Sequence, residues 1–266
     1  MSDITVRKVS FEFPDDLGDV FPGDDIVSEC YLAAFSLTMP VLEPYLIRSF
    51  RSMVDTIADP ALAEDVRQFI LQEAQHHKNH AKVNRVIHAQ LGPAVAAELT
   101  ALEDRLDRDY HRYNDTKSAR FNAVYAEGFE AMTCAMVMSM FERTAQQEGG
   151  AGRFGPWQQL YAWHGAEEIE HRTVAFGVYD TLFGSYLYRV YGSLRAQIHF
   201  GVCVARLQRV LLAAHGQPRK LHFPSWWKTA RTHYLRTFRP GYDPADLQPD
   251  PLVQLVLSMY TPTDPA

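Results

Sequence analysis

Glu-x-x-His occurs twice in this sequence, at Glu73-Ala-Gln-His76 and at Glu168-Ile-Glu-His171, each time inside a long stretch of helical periodicity. With 14 Glu and 11 His among 266 residues, chance supplies about 0.6 such pairs (11 × 14/266), so the number alone decides little. Placement decides more. Residues three apart share one face of a helix, so one carboxylate and one imidazole can converge on the same cation, and two such helices can hold two cations between them. In "HGAEEIEHR", His164 joins Glu168 and His171 on the same stripe at offsets of 0, 4 and 7. Burying such groups unpartnered costs several kcal/mol. The pattern therefore asks for a helical bundle with a polar interior that holds metal.

The remaining pattern can build that bundle. Inward polar residues fall on four long helical stretches, predicted over residues 25–58, 60–91, 117–148 and 156–183. Pro40 and Pro44 are expected to kink or break the first. Asp59 can cap the second, Pro60 suits its first position, and Gly92 ends it. A polar helix over 93–114 can serve as the long crossover, and "GGAGRFG" stops the third long helix. A further helix covers 185–215, and a short one lies near Leu252 to Met259. The domain reading is an extended arm over 1–24, a helical domain over 25–216, and a C-terminal extension over 217–266 that packs on it. The fold class is all-α, a four-helix bundle with additional helices and a di-metal carboxylate site in its core.

Composition narrows the function. A net charge of −6 with no dominant basic patch argues against a nucleic-acid partner. The arginines between Arg189 and Arg239 are interrupted by apolar residues and read as snorkelling side chains. Cys30, Cys134 and Cys203 form no CxxC pair, which excludes a zinc knuckle and suits a reducing compartment. The N-terminal residues lack the apolar region of a signal peptide, and Arg206 and Arg209 interrupt the most apolar late stretch, so the expectation is a cytoplasmic protein without membrane contact. The sequence holds no G-x-S-x-G and no Gly-rich phosphate loop.

The first and third long helices offer further carboxylates. Glu43 stands alone in "MPVLEPYLIRSF", while Glu127, Glu130 and Glu142 lie in "YAEGFEAMTCAMVMSMFER". Glu103, Glu142 and Glu148 read as solvated or helix-end charges. A second register places Glu73, His77 and His80 on one stripe; the Glu-x-x-His spacing favours His76, with His80 as a nearby ligand or a partner of one. Tyr125, Phe129, Trp157, Tyr161 and Trp163 could line a pocket, although core packing is the commoner role for each taken singly, and the methionines of "AMTCAMVMSMF" suggest an apolar cavity, although such a stripe is more often simple core.

Four segments, "MPVLEPYLIRSF", "FILQEAQHHKNHAKVN", "FEAMTCAM" and "YAWHGAEEIEHRTVAFGVYD", together with the tail "YLRTFRPGYDPAD", resemble the predicted metal-dependent hydrolases of ferritin-like fold. The resemblance runs from about residue 36 to 246. It implies a ferritin-like bundle with Glu43, Glu73, His76, Glu130, Glu168 and His171 as metal ligands, His80 and Asn84 further along the second helix, and Glu130 rather than Glu127 from the third. The spacing His164-x-x-x-Glu168-x-x-His171 also resembles that of di-iron arylamine N-oxygenases, which implies His164 as a seventh ligand.

Carboxylates and imidazoles without thiolates suit iron or manganese, with zinc acceptable. The expectation is a non-haem oxygenase or oxidase with two iron ions, acting on a small organic substrate with O2 and using Glu130, His164 and Glu168 as catalytic residues. The alternatives are a hydrolase with a metal-activated water and a ferroxidase or metal-binding protein. A homodimer is compatible with this reading.

Overall fold

Aspartates start the first two helices. The Asp25 side chain accepts from Ser28 N (3.2 Å) at the head of α1 (Ile26–Arg51), and Asp59 accepts from Ala61 N (2.9 Å) at the head of α2 (Pro60–Gln90), where Pro60 takes the first position. The computed structural model describes residues 4–16, 18, 20–145, 155–220, 224 and 227–261. Among these, the other helices are α3 (Pro93–Thr116), α4 (Ala119–Ala145), α5 (Pro156–Glu170), α6 (Val174–Leu182), α7 (Tyr186–Ala214), α8 (Trp227–Arg236) and α9 (Leu252–Tyr260). No strand occurs among the described residues. Gly92 joins α2 to α3 at φ 81°, a left-handed conformation that glycine adopts without strain. The expected end of the third long helix at 148 and its glycine-rich stop lie outside the described residues.

Two expectations about helix continuity need correction. Pro40 and Pro44 do not break α1, which runs unbroken to Arg51; only a short 3-10 turn, Val54–Thr56, follows it. Each proline removes the bond to a carbonyl four residues back, Ser36 for Pro40 and Pro40 for Pro44. A side chain of α2 supplies one of the missing donors: Asn84 Nδ2 bonds Ser36 O at 2.9 Å. The stretch over 156–183, in contrast, is two helices. Between α5 and α6, the Arg172 guanidinium takes the Ile169 carbonyl (2.7 Å) and the Pro244 carbonyl (2.9 Å), so the end of α5 is satisfied without further helix. His171 sits at this break, at φ −97° and ψ 11°.

Helix α1 packs on α2, α2 on α5 and α6, these two on α4, and α4 on α1, which closes a ring around the polar interior. Helix α7 covers α1 and α4 from outside, α3 packs against α1, α2 and α7, α8 lies on α4, and α9 on α5. Val253, Val256 and Leu257 fasten α9 to Cys134, Val137, Ala166 and Ile169, each large side chain contributing roughly 1.5–3 kcal/mol. Ile26–Thr56 is long and apolar enough to span a bilayer, but two-thirds of its most apolar window is buried inside the protein, which accounts for its hydropathy.

The N-terminal arm is extended, as its two prolines suggest, and side chains of α2 hold its backbone. Gln72 Nε2 donates to Thr5 O (3.0 Å), Asn79 Nδ2 to Val9 O (3.0 Å) and Lys82 Nζ to Phe11 O (3.0 Å), while Asn79 Oδ1 accepts from Phe11 N (3.0 Å). The Phe11 ring lies 5.6 Å from that of Trp163 and 5.8 Å from that of Tyr260. The arm is thereby carried across the helices that hold the polar interior.

Candidate metal centre

Seven side chains converge inside the ring. Glu43 comes from α1, Glu73 and His76 from α2, Glu130 from α4, His164 and Glu168 from α5, and His171 from the break after it; none is more than 4% exposed. His76 Nδ1 lies 3.5 Å from Glu73 Oε1 and 3.9 Å from Glu168 Oε1. His164 Nε2 lies 2.9 Å from Glu168 Oε1 and 3.9 Å from Glu43 Oε1. His171 Nε2 lies 3.3 Å from Glu130 Oε2, 3.6 Å from Glu73 Oε1 and 3.7 Å from Glu168 Oε2. Three overlapping triads could each hold an ion: Glu43, His76 and His164; Glu73, His76 and Glu168; Glu73, Glu130 and His171. Within each, the ligand atoms lie within 4.8 Å of one another.

The other nitrogen of each imidazole shows why these atoms need a cation. His76 Nε2 meets Glu167 Oε2 at 3.0 Å, a bond in which the nitrogen donates. His171 Nδ1 meets Gln72 Oε1 at 2.9 Å; the Gln72 amide donates to Glu170 (2.6 Å) and Thr5 O, so Oε1 accepts. His164 Nδ1 meets His80 Nε2 at 2.8 Å, and His80 Nδ1 meets Ser36 Oγ at 2.8 Å. Ser36 donates onward to Asn84 Oδ1 (2.7 Å), whose amide orientation is fixed by the bond to Ser36 O. His80 must then donate to Ser36 and accept from His164. In all three imidazoles the braced nitrogen carries the proton, which leaves the inward nitrogen as a lone pair aimed at carboxylate oxygens.

Acceptors facing acceptors in a dry interior repel. Both Glu43 oxygens, Glu73 Oε1, His76 Nδ1, Glu130 Oε1, Glu168 Oε2 and His171 Nε2 have no hydrogen-bond partner. Added protons can relieve this in part. Burial, then Glu73, Glu168 and Glu130, push the Glu43 carboxyl well above its usual range, and burial and Glu168 do the same to Glu130. Burial works against charging His76, but Glu167 and Glu73 overcome it and raise its pKa to about 9. His171 rises in the same way through Glu130 and Glu168, while the nearness of His164 and His171 outweighs burial and holds Glu168 well below the usual carboxylate range. Divalent cations held by the triads would give these clustered electron pairs a partner, so the residues fit metal. Cys134, whose thiol burial pushes up to about 12, belongs to none of the triads.

The other candidates lie outside the convergence. His80 braces His164 instead of facing the carboxylates, and burial followed by His164 and His76 keeps its pKa well below the usual value. Asn84 serves the Ser36 carbonyl freed by Pro40, and His77 belongs to none of the triads. Glu127 points to α7, where Arg189 (3.0 Å) and Ser193 (2.6 Å) bind it. Sequence reasoning missed Arg7, Gln72, Glu167 and Glu170. Arg7 is buried in the arm; it donates to Glu167 (3.1 Å) and grips both oxygens of Glu170 (2.9 Å each). Nothing periodic marks it, since its partners lie some 160 residues away.

A cavity of about 220 Å³ reaches His164 and Glu168, with Phe35, Met136, Met140 and Tyr161 among its walls. Of the five aromatics named from sequence, only Tyr161 lines it; Trp163 packs edge-on against His76 instead (5.0 Å between ring centroids). The methionine-rich face of α4 does border the cavity.

Helical scaffold and interior together define a protein built to hold metal on carboxylates and imidazoles. Residues 5–248 match the family described as predicted metal-dependent hydrolase, and the chain belongs to that family. Comparisons with curated proteins and with solved structures found no match.

Proposed function

We propose that this protein is a hydrolase that holds two metal ions on Glu43, Glu73, His76, Glu130, His164, Glu168 and His171, within a ferritin-like bundle made of α1, α2, α4 and the α5–α6 pair. The observation that carries this reading is the set of inward lone pairs, each fixed by a proton on the braced side of its imidazole. Oxygen and nitrogen donors without thiolate suit iron or manganese and admit zinc. When bound, the metal supplies a water of lowered pKa and a Lewis acid for the scissile bond.

The chain's own groups do the rest. His164 and Glu168 form the inner wall of the cavity, so a substrate's reacting group arrives beside them. Phe35, Met136 and Met140 keep bulk water from that point. Glu130 meets His171 through Oε2 and keeps Oε1 unpaired, which suits it to accept the proton of an attacking water. The braces on His76, His164 and His171 hold the ring planes and tautomers while charge shifts.

A second reading is oxidation of a small organic substrate by paired iron and O2. It is favoured by the third inward imidazole, His164, at the wall of an apolar cavity, and by a spacing similar to that of the di-iron arylamine N-oxygenases. Zinc-loaded protein tested on ester, amide and phosphoester substrates under nitrogen separates the two. Equal turnover in nitrogen and in air supports hydrolysis. Turnover that needs reduced iron and consumes O2 overturns it in favour of oxidation.

A further inference from the structure

The face of α4 that starts at Glu130 continues through Thr133, Met136, Val137, Met140 and Arg143, residues at helical spacing that all border the cavity reaching His164 and Glu168. Ten positions separate Thr133 from Arg143 in that lining, a run of about 15 Å along the helix axis. The cavity is therefore elongated, with the carboxylate set at one end and a cation at the other. Among the described residues, Glu168 is the only acidic residue in its lining, and Arg143 the only guanidinium. Arg143 is half-buried and has no carboxylate partner among the described residues; its neighbour Glu142 is taken by His233 (3.0 Å).

Two hydroxyls in the lining are also unspent. Thr133 is 3% exposed and Ser139 1%, and neither side-chain oxygen has a hydrogen-bond partner. A helical hydroxyl normally bonds the carbonyl four residues back, as Thr144 does with Met140 O (3.0 Å). Ser139 stands one turn before Arg143, and Thr133 one turn beyond Glu130. Both are buried polar groups that need a partner which the protein does not supply.

We propose that this cavity binds an elongated apolar carboxylate, its anionic end held by Arg143 with Ser139, and its reacting polar group received by Thr133 beside the metal set. The assignment of the inner end as the reacting end rests on the metal-dependent reading above; the anion site does not. Charge selects the outer group, since a guanidinium in a largely apolar lining binds an anion more strongly than it binds an alcohol and repels a protonated amine. The walls of Leu32, Phe35 and Met140 select the body.

Calorimetric titration with octanoate and with octan-1-ol tests this, on metal-loaded full-length protein whose metal content is measured in the same samples. Octanoate should bind at least tenfold more tightly than octan-1-ol. Arg143→Met should remove that preference, Arg143→Lys should keep most of it, and Ser139→Ala should weaken octanoate by roughly two- to tenfold, with metal content unchanged throughout. Octanoate binding no tighter than octan-1-ol, or equally tight in wild type and Arg143→Met, overturns the proposal; the latter result would mean that the carboxylate sits on the metal instead. If no metal is bound yet octanoate still depends on Arg143, the anion site stands and the metal-dependent reading falls.

Discussion

Replacing Arg7 by Met would cut the longest connection to the carboxylate set. Its side chain is 4% exposed and spends its donors on Glu167, on both oxygens of Glu170, on Thr5 O (2.8 Å) and on Thr261 Oγ1 (3.2 Å). Glu167 is fully buried, so without Arg7 its charge keeps only the bond to His76. Breaking a buried pair from one side costs about 3–5 kcal/mol, because the remaining ion has lost its hydration and its partner together. For a domain of this size each kcal/mol shifts Tm by about 2–4 °C, so Arg7→Met should melt about 10 °C lower by circular dichroism. His76 would also lose the fixed carboxylate that orients its ring, and competition with a metallochromic chelator should show metal affinity reduced about 10- to 100-fold. Arg7→Lys should fall in between, since an ammonium cannot grip Glu170 through two nitrogens. Adding Glu167→Gln to Arg7→Met should recover part of the lost stability, as no buried charge then remains, but not the metal affinity. Arg7→Met with Tm within about 1 °C of wild type and unchanged metal affinity would refute the chain of contacts from the arm to His76.

His80→Ala should weaken metal binding about 10- to 100-fold by freeing His164 to change tautomer, whereas His77→Ala, outside every triad, should leave metal affinity intact, as chelator competition would show. Gly128→Ala places a methyl 2.5 Å from Ser193 Cα, against backbone that cannot turn aside, so α4 and α7 must separate. Although alanine is the better helix former, overpacking should dominate and lower Tm by several degrees in a thermal melt.

The sequence by itself determined seven helical stretches and most of their limits, because caps, prolines and apolar periodicity act within a few residues, but not the division of the fifth into α5 and α6, nor α8. It also determined which side chains face inward: offsets of three and four put Glu73 with His76 and Glu168 with His171 on single faces, whatever the helices pack against. The structure brings together the seven residues read from those faces and from the isolated Glu43 and Glu130. What the sequence left open was decided by contacts between residues far apart. Only docking of α1 on α2 gives Asn84 to the Ser36 carbonyl freed by Pro40 and leaves His76 to face the carboxylates, although both lie on one helix. Only the meeting of Arg172 with Pro244 ends α5 where His171 must turn. The arm reads as a bare extended segment until Gln72, Asn79 and Lys82 grip its backbone and bring Arg7 to Glu167. Periodicity records which way a side chain points along its own helix; the proton on each imidazole depends on what stands across from it, and that follows from packing alone.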